Sequence, residues 1–257
     1  MFDKIISKLN GKSQVPEQTG GYSIQGRKPS QEDSYYISEK KNGKQLILVA
    51  DGVGGHGHGD FASKLALEIF ENTFAQSANF GDIPDFLRKT TLVVAAMVLQ
   101  KSMMEPEFTN CGTTLTGFFI NENKYYTLNV GDSRCYHYQK DIMTRVTKDH
   151  SMIQDLLDKG EITEEESFVH PQRNMMTSAI GQPLSMLKID IEGPKDIDFG
   201  EMLFAFSDGV HDALTEKQIQ TLVDKHKKNN DLAQKLVEAS FAAGGKDNIT
   251  AVYYRHL

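Results

Sequence analysis

The chain has 257 residues, 39% of them hydrophobic and 25% charged, with a formal net charge of −7. That is the composition of a soluble globular protein with a substantial core, and its acidic balance excludes a wholesale nucleic-acid binder, which would be basic. The longest apolar run, residues 91–99, is about half of the roughly 18 residues a membrane span needs. Two cysteines, Cys111 and Cys135, are too few for a disulfide framework or a zinc ribbon and suit a reducing, cytoplasmic setting.

The elements follow in chain order. The start, MFDKIISKLNGK, lacks the apolar stretch of a secretory signal but sets Phe2, Ile5, Ile6 and Leu9 at helical spacing, a stripe expected to dock on its own domain or to fray. Residues 1–19 read as a tail, and 20–257 as the folded domain. Short strands are predicted over 22–24 and 34–37. A strand over 45–50 is apolar on both faces, hence central. Helices are predicted over 61–75, where Phe61, Leu65, Ile69 and Phe74 share a face, and over 86–104. Strands over 114–120, 124–130 and 134–138 are joined by the turns NENK and GDS. A helix over 152–159 stops at Gly160, and Thr163 caps the next, with Glu164, Glu165 and Glu166 at its positive end. Strands over 187–191 and 202–206, helices over 216–227 and 232–243, and a strand over 249–254 complete the chain. Antiparallel runs of strands separated by pairs of helices point to α+β layers rather than a doubly wound parallel sheet.

The stretch LILVADGVGGHGHGD, residues 46–60, admits three chemistries. Its Gly52-Val53-Gly54-Gly55-His56-Gly57 fits the dinucleotide fingerprint by letter. A Rossmann unit, however, needs a second strand ending in an acidic residue about 20 positions on, and Glu71 there lies in a predicted helix. His56 and His58 could face one way, but no later histidines fall at ligand spacing. The third reading is a carboxylate metal site. Acidic residues recur at strand ends beside small residues: Glu32 and Asp33, Asp51, Asp132, Asp208, and Asp247. One such aspartate is an ordinary turn former. Five places are costly unless a cation gathers them, and hard divalent ions take oxygen ligands of this kind. Asp208 and Asp212, spaced i, i+4, face the same way if that segment is helical.

Taken together the blocks GRKPSQEDS, VADGVGGHGHGDFAS, CGTTLTGFFI, YTLNVGDSRCY, VTKDHSMIQDLLDKGEIT, HPQRNMMTSAIG, LFAFSDGVHDAL and GGKDNITAVYY resemble, in order, the metal-dependent protein phosphatase family of the protein phosphatase 2C type, in its bacterial single-domain form. The resemblance implies two stacked, mainly antiparallel β-sheets flanked by helices, an α-β-β-α sandwich. It also implies a serine/threonine phosphatase in which a water bridging two Mn2+ or Mg2+ ions attacks phosphorus directly. Asp51 would bridge the ions, with the Gly52 carbonyl on one and Asp208 and Asp247 on the other. Glu32 and Asp33 would act through waters, and Asp132 and Asp212 would bind a third ion. Residues 160–183 correspond to the family's variable flap, expected to be mobile and to bear on substrate choice.

Two departures stand out. Where the family places a phosphate-clamping arginine, four residues before Glu32, this chain has Lys28, with Arg27 one earlier. Lysine brings charge without the bidentate fork, and Arg27 is slightly favoured for the role. Where some relatives have a histidine after Asp-Gly, this chain has Val53, and His56 or a metal-bound water would protonate the leaving group. The substrates implied are phosphorylated proteins made by a serine/threonine kinase, met by a monomer with no nucleic acid and no membrane insertion. The competing readings are a partner-switching phosphatase for one regulatory protein and an inactive phosphoprotein-binding module.

Overall fold

Strands that are apolar on both faces must be covered on both sides, and that requirement sets the architecture. The structure, a computed structural model, describes residues 18–54, 58–167 and 169–257. The amphipathic stripe at Phe2 to Leu9 therefore lies outside the described residues. The strands are β1 (Thr19–Ile24), β2 (Ser34–Ile37), β3 (Lys44–Ala50), β4 (Gly52–Val53), β5 (Gly112–Thr113), β6 (Leu115–Asn121), β7 (Lys124–Val130), β8 (Arg134–Gln139), β9 (Ile142–Arg145), β10 (Asp190–Asp196), β11 (Met202–Phe206) and β12 (Ile249–Arg255). The helices are α1 (Gly59–Gln76), α2 (Ile83–Met104), α3 (Met152–Asp158), α4 (Glu164–Ser167), α5 (Asp208–His211), α6 (Glu216–His226) and α7 (Leu232–Ala242).

One sheet runs β1-β12-β11-β8-β9 and the other β10-β7-β6-β3-β2, with every pairing antiparallel. Alternation along the strands produces three apolar layers. Leu46, Leu48 and Ala50 of β3 pack with Phe70, Leu87 and Val94 of α1 and α2. Ile47 and Val49, the residues between them, meet Leu203, Ala205 and Val252 of the facing sheet. Phe204, Phe206 and Tyr253 turn outward onto Val223 and Leu236 of α6 and α7. The predicted α-β-β-α sandwich is the observed fold.

Local chemistry accounts for the boundaries. Asp82 caps α2 by accepting from the Asp85 amide (2.8 Å), with proline in the first turn, so the helix starts earlier than periodicity alone suggests. Gly160, at φ +67°, ends α3 with amide bonds from Gly160 to Leu157 and from Glu161 to Leu156, as a left-handed C-terminal cap does. Strand β9 is absent from the sequence prediction. The β10 strand lies several residues later than the predicted 187–191 and carries Gly193-Pro194 at a register shift between Glu192 and Lys195; a proline is tolerated there because the strand is at the sheet edge. Strand β1 starts at Thr19, and the Gln18 carbonyl already pairs with Arg255, so the fold begins just inside the predicted tail. Among the described residues no helix is long and apolar enough to cross a membrane.

Candidate metal centre

The predicted acidic residues come together because one end of the sandwich collects strand ends from both sheets. Asp51 follows the end of β3 and Asp33 precedes β2, in one sheet. Asp208 follows β11 and Asp247 precedes β12, in the other, and Asp132 lies in the turn from β7 to β8 that joins the two. The backbone pins each in place. The Asp51 amide donates to Thr114 Oγ1 (3.0 Å), while the Thr114 amide (2.8 Å) and the Thr113 hydroxyl (3.0 Å) donate to the Asp51 carbonyl. Thr114 Oγ1 in turn lies 2.8 Å from Ser133 Oγ, beside Asp132. The Ser207 and Thr250 hydroxyls donate to Asp33 Oδ2 at 2.7 and 2.6 Å, a bond across the sheets.

The glycines of the opening loop serve close approach. A Cβ on Gly52 would lie 2.3 Å from the Gly59 carbonyl oxygen and 2.7 Å from that of Glu32. One on Gly59 would lie 2.5 Å from Glu32 Oε2. Only glycine lets the strand end, the start of α1 and Glu32 meet in this way. Gly54 is described, but His56 lies outside the described residues. His58 stands edge-on to Phe108 at 5.6 Å between ring centroids, a packing contact.

Gathered carboxylates oppose one another's ionisation. Burial first, then Asp33, Asp208, Asp132 and Asp247, hold the Asp51 carboxyl well above its ordinary pKa. Asp208 is raised likewise, by burial and then by Asp132 and Asp247. Burial carries Asp33 to about 6 against the pull of its hydroxyl donors, and burial with Asp149 carries Asp132 to about 7. Asp212 differs: burial raises it, but His211, Arg134 and Arg173 together bring it below the ordinary value. Two oxygens in the cluster, Asp33 Oδ1 and Asp208 Oδ1, are buried without a hydrogen-bond partner among the described residues. Such atoms are expensive unless something positive meets them, so this donor set fits hard divalent cations.

The two candidate phosphate-binding residues part company. Lys28 Nζ lies 3.0 Å from Asp247 Oδ1, at the cluster. Burial works against its charge, but Asp247, Asp208 and Asp51 outweigh that and raise its pKa. Arg27, the residue slightly favoured from sequence, lies over the Phe241 ring of α7 at 5.5 Å. The flap residues 160–183 begin with the Gly160 cap and return to the body through bridges from Met176 to Ser151 and from Ile180 to Thr113.

Several supports escaped the sequence reading. Asn248 accepts from the Glu32 amide (2.8 Å) and donates to the carbonyls of Gln25 (2.7 Å) and Ser30 (2.8 Å), tying the Lys28 turn to the Asp247 strand. Arg134 grips Asp149 through Nε and Nη2, and Arg145 joins at 2.5 Å. His150 accepts from the Gly131 amide and meets Asp190 at 3.0 Å. Hydroxyls or amides beside the acidic motifs were the available signal: Ser207 before Asp208, Ser133 after Asp132 and Asn248 after Asp247.

The chain is similar to several known proteins. The family model described as protein phosphatase 2C matches residues 20–239. A serine/threonine phosphatase of Listeria innocua is 29% identical over 231 residues, covering 86% of this chain and 88% of its own. A solved serine/threonine phosphatase of S. agalactiae superposes with a TM-score of 0.85 at 29% identity, covering 92% of this chain and 98% of its own. The catalytic domain of the phosphatase PstP, solved with two manganese ions, superposes at 0.81 with 26% identity, covering 94% and 98% respectively.

Proposed function

The chain belongs to the protein phosphatase 2C family and is a metal-dependent serine/threonine protein phosphatase; from that premise we propose which of its residues carry the reaction. The observation behind the assignment is the pair of orphaned oxygens, Asp33 Oδ1 and Asp208 Oδ1, within a carboxylate cluster drawn from both sheets. Asp51, Asp208 and Asp247, with the Gly52 carbonyl, would hold two manganese or magnesium ions. Glu32 and Asp33 would act through waters, and Asp132 and Asp212 would hold a third ion. When bound, the ions neutralise the carboxylates, activate water and take up charge on the phosphoryl oxygens.

The protein's own groups do the orienting. Ser207 and Thr250 bind Asp33 Oδ2 and leave Oδ1 for the cluster. Lys28 supplies a cation at the mouth for the phosphoryl group, a point charge rather than a fork. Burial, ahead of the Arg134 charge, lowers the pKa of His211, which lies in the same short helix as Asp208. The natural substrates are phosphoproteins made by a serine/threonine kinase. The enzyme works as a monomer in the cytoplasm, a setting supported by two free, buried thiols at Cys111 and Cys135.

The test is hydrolysis of an aryl phosphate by the purified protein with Mn2+. Activity that vanishes with chelator and in Asp208→Asn is expected. No hydrolysis in the presence of Mn2+ would favour a phosphoprotein-binding module instead.

A further inference from the structure

We propose that Lys28 is an internal counter-ion for Asp247 that metal loading displaces, so that the ion taking the carboxylate also releases the ammonium group to the substrate phosphate. The inference rests on reading the carboxylate cluster as a metal-dependent phosphatase site, and it adds an order of events to it.

The geometry is specific. Lys28 Nζ is 3.0 Å from Asp247 Oδ1, which also accepts from the Asn248 amide at 2.9 Å. An ammonium group and a divalent ion compete for that carboxylate, because their charges repel at contact distance, so metal loading favours release of the ammonium group. The backbone cannot carry Lys28 away as a unit. Gln25 Nε2 donates to the Lys28 carbonyl (2.8 Å), and Asn248 holds Gln25 and Ser30 on either side. Gly26, at φ +62°, lies so near the Asp247 carbonyl oxygen that a Cβ there would stand 2.0 Å from it. Movement is therefore confined to the four-carbon side chain, which is 49% exposed and free to swing. Arg27 does not share the role: it is engaged over Phe241. The freed ammonium stays at the mouth, where the phosphoryl group must enter. Metal first and phosphate second then follows from the ion pair.

Mn2+ binding to the chelator-stripped protein, measured calorimetrically without substrate, tests the first half. Lys28→Met is expected to bind Mn2+ about two- to fivefold more tightly, the scale of a partly exposed ion pair. Arg27→Met, which removes a charge not in contact with Asp247, should leave that affinity unchanged. Inorganic phosphate binding to the Mn2+-loaded protein tests the second half and should weaken in Lys28→Met. Unchanged Mn2+ affinity in Lys28→Met overturns the proposal, as does equal tightening in Arg27→Met. Tightened Mn2+ binding with undiminished phosphate binding overturns it too. In each of those cases the phosphatase reading survives, whereas a wild-type chain that takes up no Mn2+ sinks both.

Discussion

Asp33 and Asp132 keep their protons in the folded, metal-free protein up to about pH 6 and about pH 7. In the unfolded chain both release near pH 4. The folded state thus binds more protons across that window, so the contribution of these two groups to stability falls as pH rises from about 4 through 7. Cations reverse the preference, since they bind the ionised form. Mn2+ affinity is therefore expected to rise steadily between pH 5 and pH 7.5, and titrations at several pH values check it; a flat profile would contradict the clustered carboxylates. Ser207→Ala tests the hydroxyl that holds Asp33. Loss of such a supporting partner typically costs ~10- to 100-fold in metal affinity or activity, and the loss should appear in both. The acidic residues themselves were legible because charge at a strand end is conspicuous. Ser207 and Thr250 were not, since a buried hydroxyl in an apolar strand reads as filler until its cross-sheet partner is known.

Among the elements, turns separate what was readable from what was not. Gly160 announced its helix end because a left-handed residue is needed there. The β8–β9 hairpin escaped because its two turn residues, Lys140 and Asp141, take φ +50° and +60° without glycine or asparagine. Asp141 is held in that shape by Tyr138 (2.7 Å), three residues earlier, and by Lys227 (2.5 Å), distant in sequence. Two glycine substitutions separate conformation from contact. Gly160→Ala has nothing within 4 Å of the new Cβ and should cost about 1 kcal/mol, the left-handed penalty, in denaturant unfolding, with Mn2+ binding intact. Gly26→Ala adds a clash with the Asp247 carbonyl to the same penalty. It should destabilise more and also weaken Mn2+ binding, measurable on the same samples.

At the scale of the whole molecule, the apolar pattern pointed to α+β layers, and the α-β-β-α order was implied only by the family resemblance. The pairing of particular strands did not follow, because register depends on partners far along the chain. Mn2+ at about a hundredfold excess over Kd should add about 2.7 kcal/mol and raise Tm by roughly 5–10 °C, read by thermal unfolding with and without chelator. The two ends of the sandwich are closed by different means. At the end away from the site, Tyr125 of one sheet meets His137 of the other at 3.2 Å, and His137 meets Glu201 at 2.9 Å. At the site end, the cross-sheet bonds from Ser207 and Thr250 to Asp33 stand beside carboxylates that oppose one another's ionisation. The sandwich therefore has a permanent clasp at one end and, at the other, a hydrogen-bonded seam that bound cations would tighten. Stripping the metal should let it part from the site end alone, with amide exchange quickening at Ser207 and Thr250 while Tyr125 and His137 stay protected.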